Sequence, residues 1–194
     1  MNKNRKEIRE KTSKPLLWIG MASIGMAFAG LTSGYVVSKS SLVSKGAWQT
    51  IALPNEFLLS TIFIIFSSLF LVFASKKIRI GQYKHSTLLV GLAFLFGMLF
   101  LLCQVLGWNN LIENQGVFFT GKESRPAGSW LYVITWFHWM HALAGVIVLL
   151  VALIRSLRGH FTKENMLSFS LSSQFWHFLG FLWVYLLLFL TFLR

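Results

Sequence analysis

Five apolar runs, each about as long as a bilayer is thick, recur along this chain, and no other feature narrows its fold as much. They cover about 16–37, 57–74, 87–106, 129–154 and 170–193. A helix needs roughly 20 apolar residues to cross a hydrocarbon core of about 30 Å. None of the runs alternates apolar and polar residues as a barrel strand must, and in lipid a helix satisfies its own backbone. Hydrophobic residues make up 55% of the 194, and charged ones only 12%, too few to coat a soluble core of this size. The sequence therefore predicts an all-α polytopic membrane protein of five transmembrane helices. Residues 15–194 form one membrane domain, preceded by a basic tail over 1–14.

The formal charge of +12 invites a nucleic-acid reading, which its distribution opposes. Lys and Arg sit between the apolar runs, where they hold helix ends on the cytoplasmic side. With the N-terminus inside, thirteen of the eighteen fall on inner segments and five on outer ones. That places Met1 in the cytoplasm and Arg194 outside, and makes the tail an uncleaved cytoplasmic one. No Asp occurs and Glu numbers six, a poor supply for calcium, magnesium or acid–base hydrolysis. The single cysteine, Cys103, gives no disulfide.

The first span is rich in glycine and alanine, and Ala22, Met26, Ala29 and Gly30 line up into a thin face suited to close helix packing. Residues 38–54 read as a polar connection ended by Pro54. Asn55 is the expected N-cap, with Glu56 in the first turn where the helix dipole favours a carboxylate. A proton or substrate role for Glu56 is the sharper alternative. Lys76, Lys77, Arg79, Lys84 and His85 form a short basic loop. Gln104 lies near the exit of the third span and Trp108 at the interface belt. Residues 109–128 form the longest loop, in which Phe118 and Phe119 are candidates to dip into the interface or a partner.

The fourth span carries Trp136-Phe137-His138-Trp139-Met140-His141 near its middle, and the fifth carries Trp176 and His177. Imidazoles in a bilayer are rare and need a partner or a job. His138 and His141 share a helical face, with Gly145 one turn on, where another backbone could approach. Two readings stay open. In one, His138, His141 and His177 ligate a metal or haem. At ~1.5 Å of rise per residue, however, His138 and His141 lie about 25 and 21 Å from the inner end of their span and His177 about 13 Å, a gap of roughly 8–12 Å. In the other, the imidazoles form hydrogen bonds across helices or to lipid headgroups and water, and fix which face packs. A proton relay lacks a carboxylate inside any span. The tryptophans read as packing or interface anchors before they read as a cofactor box.

At these residues the chain resembles a known family, subunit III of the haem-copper oxidases. Gly128-Ser129-Trp130 and the run Trp136 to Gly145 resemble its "F-H-G-x-H-V-x-x-G" helix, with His138, His141 and Gly145 on the defining positions. Arg155 with His160-Phe161 resembles the loop that follows, and Phe175-Trp176-His177-Phe178-Leu179 with Trp183 resembles the last helix. Met26 to Tyr35 and Leu53-Pro54-Asn55-Glu56 carry weaker likenesses. Three family carboxylates fall on Ile24, Ser170 and Gly180.

The resemblance is to a short five-span form without the family's first two helices. It implies a bacterial inner-membrane subunit of a proton-pumping cytochrome c or quinol oxidase, or a nitric oxide reductase accessory. It also implies no catalytic, cofactor or metal residue in this chain, with haems and copper in partner subunits I and II. Bound phospholipid and another subunit over the surface of the missing helices are implied too. His138, His141, Trp176, His177, Glu56 and Arg155 then serve as interhelical or lipid contacts.

Overall fold

The computed structural model describes residues 3–48, 50–120, 125–161 and 166–193, with side chains from Thr12 onward. Five helices follow in order: α1 (Lys3–Val43), α2 (Asn55–Ile80), α3 (Tyr83–Gln115), α4 (Pro126–Leu157) and α5 (Leu167–Phe192). All five are long and apolar enough to cross a membrane. Among the described residues there is no strand.

Every helix outruns its apolar stretch. The α1 backbone is already helical within the basic tail and continues through Pro15. The basic loop shrinks to Gly81 and Gln82. Gly81 takes φ 86°, a left-handed conformation that glycine adopts without a Cβ penalty, and its N–H closes on Ile78 O. Lys77 and Arg79 thus stand on the last turn of α2, where the dipole favours cations. Likewise α3 consumes the start of the expected 109–128 loop and stops at Gly116, φ 59°. Pro126 opens α4, where its missing N–H costs no helical bond. Hydropathy reports the lipid-facing length, whereas polar helix ends continue into the interface as long as backbone bonds are available.

Helices α2, α3, α4 and α5 pack in a closed ring, each against its chain neighbour and α5 back against α2. Among the described residues, the helices that α1 packs on are α4 and α5. The core holds large rings with almost no exposure: Phe57, Phe100, Phe169, Trp176 and Trp183, with Phe28 entering from α1.

The thin face expected on α1 is not the face turned towards the chain's own helices. Gly20, Gly25 and Gly30 have open space where a Cβ would stand, and Met26 is 76% exposed. The buried line is Met21, Phe28, Thr32 and Tyr35. α1 spans the crevice between two helices, and long side chains fill that width where a small face would leave a void. Gly34 is the exception: a Cβ there would lie 2.9 Å from the Trp130 ring.

Candidate functional site

One buried polar layer crosses the ring of four helices. Gln104 of α3 donates from Nε2 to Ser60 Oγ of α2 at 2.9 Å. The Trp183 indole of α5 donates to Thr61 Oγ1 at 3.0 Å, and the Trp108 indole of α3 donates to Thr135 Oγ1 of α4 at 3.0 Å. Ser60 and Thr61 return their own protons to Phe57 O, and Thr135 returns its proton to Leu131 O. Small hydroxyls can act this way inside lipid because their helix supplies the acceptor one turn back. Near one end of the ring Asn110 donates to Glu56 Oε1 at 2.8 Å, again joining α3 to α2.

His138 stands in this layer with no exposure. Its ring lies 5.3 Å from Trp183 and 6.1 Å from both Phe100 and Phe28, so it meets α5, α3 and α1 at once. Neither ring nitrogen has a partner among the described residues. What holds it is ring packing, edge to face against the two phenylalanines.

The other two imidazoles bond within their own helices. His141 Nδ1 lies 2.7 Å from Phe137 O, and since a carbonyl only accepts, that nitrogen carries the proton. His177 Nε2 lies 3.0 Å from Ser173 Oγ. Among the described residues no three His, Cys, Asp or Glu side chains come together.

Trp176, also without exposure, is wedged between α3 and α4. A Cβ on Gly97 would lie 3.1 Å from its ring, and one on Gly145 would lie 3.0 Å from it. The space above Gly145 therefore admits an indole, where the sequence suggested a backbone. Arg155 Nη1 donates to Ser168 Oγ, tying the end of α4 to the start of α5. Beside it Thr87 and Ser156 share a hydrogen bond of 2.8 Å between α3 and α4.

Asn55 is not the N-cap. Pro54 holds that position in extended conformation, without a side-chain cap, and Asn55 is the first helical residue. Proline directs the chain into the turn by its fixed φ, so a capping side chain is not needed to start α2. Of the positions where the resemblance expects carboxylates, Gly180 packs on Ile64 and Ser68, and Ile24 lines a groove of about 340 Å³ between α1 and α5.

Ser60, Thr61 and Thr135 escaped the sequence reading. Their signal was weak: single hydroxyls within apolar runs, with nothing to show that an indole or amide would face them.

A wider groove of about 780 Å³ opens between α1, α3 and α4. Leu31, Trp108, Ile112, Tyr132, Trp136 and Phe137 line it. Phe119 closes one end with its ring 6.1 Å from Tyr132, so it meets the chain's own α4. Apart from Asn109, the side chains on its wall are mostly apolar or aromatic.

The family model described as cytochrome c oxidase subunit III matches residues 41–193. A cytochrome c oxidase subunit 3 from Corynebacterium diphtheriae is 30% identical over 176 residues, 87% of this chain and 82% of that protein. Proteins of the same name from Mycosarcoma maydis and Cyprinus carpio are 29% and 30% identical. Those alignments take in 77% and 66% of this chain but only 54% and 47% of the longer relatives, so the chain spans about half the length of those two.

Proposed function

Since the chain belongs to the cytochrome c oxidase subunit III family, we propose that it serves a respiratory haem-copper oxidase as a subunit without redox centres of its own. Haems and copper reside in subunits I and II, where oxygen is reduced to water and protons are pumped. This chain lies beside subunit I in the bacterial inner membrane, N-terminus in the cytoplasm, and steadies it during turnover. The observation that carries this reading is the setting of His138. A ligand imidazole presents a nitrogen to its metal and is commonly oriented through the other nitrogen. His138 instead is enclosed by Phe28, Phe100 and Trp183, while His141 and His177 bond their own helices.

The 780 Å³ groove takes phospholipid acyl chains, which fill the space between α1 and the ring and join this chain to its surroundings. Another oxidase subunit covers the outward face of α1, where Gly20, Gly25 and Gly30 stand open.

Affinity purification through a tag on this chain tests the reading. Subunits I and II should co-purify with a full haem spectrum. Detaching this chain with mild detergent should leave every haem with the other two. A haem band, or stoichiometric metal, that stays with the detached chain would overturn it.

A further inference from the structure

The C-terminal ends of α1 and α5 meet the connection after α1 in a small aromatic cluster. The Tyr35 ring lies 5.4 Å from Trp48 at 86°, 5.3 Å from Phe189 and 6.5 Å from Trp130. Tyr35 Oη donates to Leu193 O at 2.9 Å, and Lys39 Nζ donates to the same carbonyl at 2.9 Å. Trp48 contributes a second donor, yet its Nε1–H is enclosed and finds no acceptor among the described residues.

Beside that indole is a cavity of about 10 Å³, lined by Tyr35, Trp48, Thr50, Ile51, Leu131 and Leu190. About 10–15 Å³ of such space holds one water, provided that two or more polar groups face it. Three residues on its wall, Tyr35, Trp48 and Thr50, carry such groups. Trp48 Nε1 can only donate. Tyr35 Oη has committed its proton to Leu193 and keeps lone pairs to accept with. Thr50, on the same wall, carries a hydroxyl that can do either.

We propose that this cavity is a single-water site, in which one structural water accepts from Trp48 Nε1 and donates to Tyr35 Oη. The water completes a chain of bonds from Trp48 through Tyr35 to Leu193. It ties the connection after α1 to the end of α5. That matters because among the described residues α1 packs on just two helices, and Tyr35 is the centre of its contacts at this end.

The test is a density map of the assembled oxidase at a resolution that shows ordered water. It should hold a peak about 2.7–3.2 Å from Trp48 Nε1, also within reach of Tyr35 Oη. Trp48→Phe keeps the ring and removes the donor, and should lose that peak with the ring in place. Tyr35→Phe removes the other partner and should lose it as well, which covers the case where the first variant does not assemble. A map with no peak beside Trp48 overturns the proposal. So does a protein or lipid acceptor in that position, or a peak that survives both substitutions.

Discussion

Gly145 of α4 faces the indole of Trp176 so closely that a Cβ added to the glycine would stand 3.0 Å from ring carbon Cε3. The same Cβ would stand 2.6 Å from Leu179 Cδ1. Gly97 of α3 takes the opposite side of the ring. One tryptophan therefore joins three helices through two residues that lack side chains.

Gly145→Ala should destabilise the protein by ~1–3 kcal/mol, the usual cost of overpacking a tight core, while Gly25→Ala, which faces open space, should not. Unfolding midpoints of the two variants in one detergent measure this. Equal midpoints would mean that α4 and α5 are not packed as described.

Gln104→Leu should cost about 0.5–1.5 kcal/mol, the net worth of one buried hydrogen bond, because Ser60 Oγ loses the amide that donates to it. Ser60→Ala combined with Gln104→Leu should recover part of that loss, since neither polar group then stays unpaired. A double-mutant cycle on unfolding free energy reads the coupling. Strict additivity would deny the contact.

His138→Phe should cost no more than about 1–3 kcal/mol, the usual effect of a somewhat larger ring in a packed core, because neither ring nitrogen holds a partner among the described residues. The haem spectrum of the oxidase should not change. Loss of a haem band in this variant would instead make the imidazole a ligand.

Ala27→Trp, placed at the wall of the 780 Å³ groove, should displace bound lipid from the purified complex. Phosphorus content or native mass spectrometry counts the lipids. Gly30→Ala, on the open side of α1, serves as the control and should retain the wild-type number.

The five apolar runs settled the class of fold because each must bury about twenty residues in lipid and satisfy its own backbone. That demand is local, and the sequence by itself determined it. Which face of a helix packs is not local. Ala22, Ala29 and Gly30 read as the seam of α1, but the seam with the chain's own helices is Phe28, Thr32 and Tyr35, since only the crevice between α4 and α5 sets how wide a side chain must be there. The three imidazoles were visible at once, and their partners were not. His138 meets rings from α1, α3 and α5, and Trp183 finds the hydroxyl of Thr61 from 122 residues away. Hydrogen bonds and ring contacts act over a few ångströms, so they exist only once the helices have been brought side by side. The tertiary structure alone decided them.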